Sequence, residues 1–525
     1  YETDRARFLG RGRSVADAAA IMDGEPLSNT VGTVLDPIFS LRQRVTVPAG
    51  TVARVAFWTL VASSREELLA LVDKHHDRNA FDRAKTLAWT QGQVQLRHLG
   101  IGSAEAADFQ RLAAPILYAD PRFRASSEAI IRGAGAQSAL WPYAISGDLP
   151  IVVLRIGDVE DVAQVGQLLR AHEYWRLKRL AVDLVIVNEH AASYMQDLQV
   201  AIETAVRSSQ SRPGVGDVPA QGTVHVLRAD LMSAEARALL HAAARVILYA
   251  HRGPIADQLA RMRSASAESW PVRQQPPPPA VGEPASGEET GGLEFFNGLG
   301  GFDKDGSEYV TVQSGRHMPP APWINVIANA GFGFQVSTTG SGYTWAENSR
   351  ENQLTQWSND PVTDPAGEAI YVRDENSGAL WSPTAQPIHD GGTYVARHGF
   401  GYSRFEHEAN GIALELLQFV PLADPVKISR LTLRNRSGRP RTLSVTAYAE
   451  WVLGTSRGAS APFIATEVDT ATGAVLARNP WSIAFPGRVA FADLGGRQTA
   501  WTGDRTEFLG RNGKPEAPAV LTGGS

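Results

Sequence analysis

Between Gly342 and Asp360 the sequence reads GYTWAENSRENQLTQWSND, setting Tyr343, Trp345 and Trp357 among Glu347, Asn348, Arg350, Glu351, Asn352 and Asp360. Sugar recognition uses this mixture: an aromatic face packs on the C–H surface of a pyranose, while guanidinium, amide and carboxylate groups exchange paired hydrogen bonds with its hydroxyls. A loop leaving the edge of a sheet can carry such groups to a neighbouring domain without disturbing the core. The plain structural alternative assigns the aromatics to a core and the polar groups to turn caps.

Other constellations are less complete. In VRDENSGALWSP, Asp374, Asn376 and Gly378 read as a hairpin turn with Trp381 packed beneath it. RHGFGYSRFEHE offers His398, Glu406 and His407, but its histidines lie nine apart with no third partner at ligand spacing, which argues against a metal. GAGAQSALWPYAISGDLP (Gly133–Pro150) puts a glycine-rich loop before a strand, the reverse of a nucleotide loop, and leaves Asp148 as its candidate acid. Neither the two carboxylates of a glycoside hydrolase nor the acid and phosphate-holding groups of an inverting phosphorylase can be assembled. No cofactor is implied.

The elements expected to position these groups change character along the chain. Residues 1–62 read as the end of a truncated first β-sandwich, with Phe39–Ala62 alternating on either side of a PAG turn. Residues 63–148 read as a helical segment of three amphipathic helices packed together, the first capped by Ser64. Residues 149–260 read as a small parallel α/β subdomain, because PIVVLRI, AVDLVIVN, TVHVLRA and RVILYAH are apolar on both faces and alternate with helices. Its strand ends, RIGD (Arg155–Asp158) and VNEH (Val187–His190), could line a ligand site, although a spacer is the simpler reading. Residues 261–292 are a Pro/Gly-rich linker, and 293–525 read as a large antiparallel β-sandwich. The fold class is therefore multidomain α+β.

With 525 residues, 43% hydrophobic content, a net charge of −5 and no cysteine, the chain fits several soluble domains held together without disulfides. Its charge gives no global attraction for nucleic acid or an anionic membrane. It carries no apolar run long enough to span a bilayer. DRARFLGR (Asp4–Arg11) returns as DRTEFLGR (Asp504–Arg511), six identities in eight at an offset of 500. The repeat predicts equivalent closing strands in two duplicated sandwiches, and with the absent starting Met it suggests a piece of a longer, repetitive polypeptide.

Leu293–Val312, Pro320–Pro387 with its block NSRENQLTQWSNDP, and His398–Ile412 resemble the sugar-binding β-sandwich of cyclic β-1,2-glucan synthases. The same galactose-mutarotase-like sandwich precedes the catalytic barrel of inverting disaccharide phosphorylases such as cellobiose phosphorylase. YETDRARFLGRGR, LDPIFSLR and LWPYAISGDLPIVVLRIGD resemble the region before it. The resemblance implies a carbohydrate-binding and scaffold role in the carboxyl-proximal part of a large bacterial inner-membrane enzyme, on its cytoplasmic side. Its partners would be β-1,2-glucan and the rest of the same polypeptide: an α/α barrel bearing the general acid, and a glycosyltransferase domain. In the phosphorylases the arginine matching Arg350 lies near the acceptor sugar, and Gly133–Pro150 corresponds to a barrel motif whose arginine and second aspartate are lacking here. A self-contained β-glucan phosphorylase or hydrolase, and a module with no sugar affinity, are the alternatives.

Overall fold

A computed structural model describes residues 1–77, 79–190, 196–210, 222–264, 292–315 and 317–522; most of the expected linker, 265–291, lies outside the described residues. The chain divides into two compact units, Tyr1–Arg42 with Ser269–Ser525, and Gln43–Glu268.

In the Gln43–Glu268 unit the four β-branched runs form strands Ile151–Ile156, Asp183–Asn188, Val224–Arg228 and Val246–Tyr249, all parallel. In space the third strand lies at one edge, followed by the second, the first and the fourth. Val152, Leu154, Leu184, Ile186, Val246 and Leu248 are buried with Phe109, Leu112 and Ile116 of one helix and Leu168 and Trp175 of another. Burial of both faces explains the continuous apolar runs.

The helices Arg65–His76, Ala80–Leu99 and Ser103–Tyr118 form where expected, and the Ser64 hydroxyl accepts from the Glu67 amide. They do not form a packed trio. The first buries no residue, the second only Ala80 and Leu99, and the third is sunk into the sheet core. Along Ala80–Leu99, Phe81 and Trp89 fall on a different side from Leu87 and Val94, and all four stay exposed. Without a single apolar stripe the helix has no one face to bury.

The hairpin expected over Phe39–Ala62 is also corrected. Only Pro37–Ser40 is a strand, paired antiparallel with Glu2–Asp4, and residues 41–62 contain none. Val45, Val47, Val52, Val55 and Phe57 remain exposed. Alternation marks a surface able to bury one face, but a hairpin without a third strand or helix to cover that face is marginal.

The other unit is built on a six-stranded antiparallel sheet, ordered Ile428–Asn435, Ile412–Phe419, Tyr402–Ala409, Thr393–Gly399, Glu308–Ser314 and Gly300–Phe302. Opposite it lies a five-stranded sheet, ordered Trp451–Gly454, Gln353–Thr355, Gly342–Ala346, Phe332–Ser337 and Ile324–Ala328. Ile327, Phe334 and Val336 of the smaller sheet meet Ala396, Phe405 and Leu416 of the larger. A three-stranded sheet of Leu380–Trp381, Glu368–Asp374 and Leu443–Ala449 brings Val372 and Trp381 against Ile412 and Leu414. The turn read at Asp374 is present: its carboxylate accepts from the Asn376 and Ser377 amides, Gly378 has φ 73°, and Trp381 is buried.

The repeated phrase forms no closing strand at either end. It folds twice into the same capped helical turn, Arg5–Leu9 and Arg505–Leu509. Asp4 accepts from the amides of Ala6 and Arg7, and Asp504 from those of Thr506 and Glu507. Gly10 and Gly510 end the turns at φ 83° and 85°, followed by Gly12 and Asn512 at 70° and 60°. Short helices then begin at Ala19 and Ala519, so the duplicated unit outlasts the sequence identity. An aspartate cap closed by a left-handed glycine favours a helical turn over extended backbone.

Candidate functional site

The block Gly342–Asp360 is an antiparallel hairpin with its tip and a return loop. Strand Gly342–Ala346 pairs with Phe332–Ser337 on one side and with Gln353–Thr355 on the other. At the tip Glu347 takes a left-handed φ of 63° and pairs with Arg488. The Asn348 side-chain oxygen accepts from the amides of Arg350 and Glu351, both at 2.9 Å, which fixes the tip backbone. Arg350 stands outward with its side chain 88% exposed, and its Nε is 3.4 Å from Glu351 Oε1.

The aromatics form a stack beside the tip. Tyr343 is buried, with ring centroids 5.2 Å from Trp345 and 5.4 Å from Trp357. Trp345 fits because its cross-strand neighbour is Gly333, where a Cβ would come within 2.7 Å of the indole. Trp357 is 41% exposed.

Two expected sugar contacts are corrected by their surroundings. Asn352 is buried and donates to the Ala346 carbonyl at 3.0 Å, closing the tip from within. Asp360 accepts from Arg5 at 2.7 and 2.8 Å and from the Val362 and Thr363 amides at 3.0 Å. Burial raises the pKa of Asp360, but hydrogen bonds from Arg5 and Thr363 outweigh it and hold the carboxyl well below the usual carboxylate range. With the Asn352 amide nitrogen and the Asp360 carboxylate taken up by the protein, both hold backbone in place. Asn348 does the same through its oxygen.

Glu368 was not legible as part of this site. It lies beneath the hairpin and accepts from Thr344 Oγ1 at 2.6 Å, from Thr355 and from Lys427. Burial raises its pKa, and Lys427 together with the Thr344 and Thr355 hydroxyls outweighs this, leaving it lowered. Lys427 also sits 4.3 Å over the Phe334 ring. Neither residue carries a local signal, because each finds the other across 59 positions.

The remaining candidates each have partners of their own. His398 Nδ1 is 2.8 Å from Ser403 Oγ, while His407 is held between the Thr393 carbonyl and Asp390 at 2.8 and 2.9 Å. Asp148 accepts from Gln137 at 2.9 Å within its own loop. In the parallel sheet, RIGD and VNEH meet through Arg155 and Glu189 at 2.7 Å.

The glycosyl hydrolase 94 supersandwich domain family matches residues 1–78 and 307–525. The chain belongs to that family. The matched stretches contain both copies of the capped turn and the whole hairpin, and they leave out the parallel sheet. The cyclic β-(1,2)-glucan synthase NdvB of Rhizobium meliloti (strain 1021) is 44% identical over 99% of this chain and 19% of its own length. N,N'-diacetylchitobiose phosphorylase of Vibrio furnissii is 34% identical over 29% of this chain and 19% of its own. Solabiose phosphorylase of Paenibacillus borealis is 30% identical over 30% and 20%. The chain thus spans about a fifth of the length of these relatives. Among the described residues no helix is long and apolar enough to cross a membrane.

Proposed function

We propose that this supersandwich chain is the glucan-gripping module of a longer glucan synthase or phosphorylase polypeptide. Arg350 and Glu351 at the hairpin tip would bind hydroxyls of a β-1,2-linked glucan, and the exposed faces of Trp345 and Trp357 would pack on its pyranose rings. The chemistry would belong to an α/α barrel and a glycosyltransferase domain elsewhere in the polypeptide. The observation that carries this reading is the contrast within the tip: Asn348 and Asn352 lock its backbone, while the Arg350 guanidinium projects 88% exposed and free to meet a ligand. A charged group held on a fixed base loses little freedom on binding.

The test is isothermal titration of the 525-residue chain with linear β-1,2-glucan, alongside Arg350→Ala. The expected result is a binding heat that the variant weakens at least tenfold, with no glucose 1-phosphate released in the presence of phosphate. Equal heats from both proteins would refute the site, and phosphate-dependent release would favour a self-contained phosphorylase.

A further inference from the structure

The outer face of the five-stranded sheet carries a polar side chain that the hairpin tip does not use. Along Phe332–Ser337, Phe334 and Val336 enter the core with Ile327, so Gly333 and Gln335 take the opposite face. There Gln335 stands in register between Val326 on one strand and Tyr343 on the other, and Gly333 between Ala328 and Trp345. Gln335 thus shares a face with the Tyr343 and Trp345 rings, whose centroids are 5.2 Å apart. Val326 is exposed, while Gln335 and Trp345 are half-buried.

Two glutamines border the aromatic stack, and they differ. Gln353, opposite Trp345, is buried and fully engaged: its nitrogen donates to the Arg350 and Thr455 carbonyls at 3.4 and 3.3 Å, and its oxygen accepts from the Trp357 amide at 3.2 Å. Among the described residues neither the Gln335 amide nor the Trp345 indole N–H has a hydrogen-bond partner. A primary amide half-shielded by apolar neighbours has lost part of its hydration, and it gains when a ligand supplies the missing bonds. It offers two donors and a carbonyl acceptor, and the indole one donor, a set that neighbouring sugar hydroxyls can satisfy.

We infer that Gln335 is a second contact point for the glucan, so that the site reads a run of linked glucose units and not a single ring; this rests on the hairpin reading proposed above. Tyr343, opposite Gln335, is separated from Ala346 by a rise of roughly 10 Å in extended backbone, and Arg350 lies beyond Ala346 at the tip. One pyranose cannot touch both Gln335 and Arg350. A unit at Arg350, one on the Trp345 indole and one at Gln335 make about three consecutive units along the hairpin. Val326, exposed beside Gln335, supplies an apolar border for the last of them.

The test titrates the 525-residue chain with the β-1,2-linked glucose disaccharide, trisaccharide and pentasaccharide. The two longer glucans are expected to bind at least tenfold more tightly than the disaccharide, a comparison that needs no variant to fold. Gln335→Leu keeps the side-chain volume and removes both polar atoms; it should weaken the pentasaccharide about fivefold, as for one net hydrogen bond, and reduce the advantage of the longer glucans. Arg350→Ala should weaken all three. Equal affinity at every length, or undiminished pentasaccharide affinity in Gln335→Leu, would overturn the inference while an Arg350→Ala defect left the hairpin site standing. No binding at any length, or no effect of Arg350→Ala, would overturn the hairpin reading and this inference with it.

Discussion

The guanidinium of Arg5 grips the carboxylate of Asp360 in a two-point ion pair, Nη1 to Oδ1 at 2.7 Å and Nη2 to Oδ2 at 2.8 Å, between residues 355 positions apart. Nη1 is also 2.7 Å from Asp36. The pair ties the first capped turn to the loop that follows Trp357. Leu9 and Ala18 pack against Val362 alongside it.

Because both side chains are largely shielded, removing Arg5 leaves the Asp360 carboxylate without its counter-charge, and removing the Asp360 charge leaves Arg5 with Asp36 alone. Arg5→Ala and Asp360→Asn are each expected to cost about 2 kcal/mol in urea unfolding followed by tryptophan fluorescence. The double variant should lose less than the sum. Strictly additive losses would show that the pair does not couple.

The two copies of the capped turn predict matched responses. A Cβ at Gly510 would meet Ala519 Cβ at 2.9 Å, and one at Gly10 would meet Ala19 Cβ at 3.2 Å, both at positive φ. Gly10→Ala and Gly510→Ala should each destabilise by about 1 kcal/mol or more. A neutral result at either position would mean that its turn is not formed in solution.

Within the hairpin tip, stability and binding should separate by residue. Arg350→Ala should change stability by less than about 0.5 kcal/mol, as expected for an exposed side chain. Asn352→Ala removes a buried donor to the Ala346 carbonyl and should cost about 1–2 kcal/mol. Equal melting temperatures for these two variants would contradict the division of roles.

Asp390 predicts the acid response. Burial raises its pKa, but its interactions with His407, the Gly392 amide and the Tyr394 hydroxyl together outweigh this, bringing it from 3.8 to about 2. A depressed folded pKa stabilises fully above the unfolded value, and the contribution is lost as pH falls through the folded one. Stability should therefore drop by about 2 kcal/mol between pH 4 and 2. Asp390→Asn should lose that amount at neutral pH and show a flatter acid limb in urea titrations. An unchanged limb would rule out this contribution.

The parallel sheet was legible because burial on both faces writes continuous β-branched runs, as in Ile151–Ile156 and Asp183–Asn188. The 39–62 alternation carried the opposite lesson: the pattern is real, but no neighbour covers Val45, Val47 or Phe57. In the hairpin, the concentration of aromatic and polar residues was visible as a block. Which members stay free was not, since Asp360 is taken up by Arg5 and Glu347 by Arg488.

Local chemistry in the sequence determined the strands of the parallel sheet, the helix caps and the repeated turn, because hydrogen bonds over a few residues and side-chain periodicity act before any distant contact exists. The tertiary structure decided which polar groups are used up internally and which remain for a ligand. That depends on partners tens to hundreds of residues away, such as Lys427 under the hairpin and Arg5 on Asp360, and no local pattern encodes their approach.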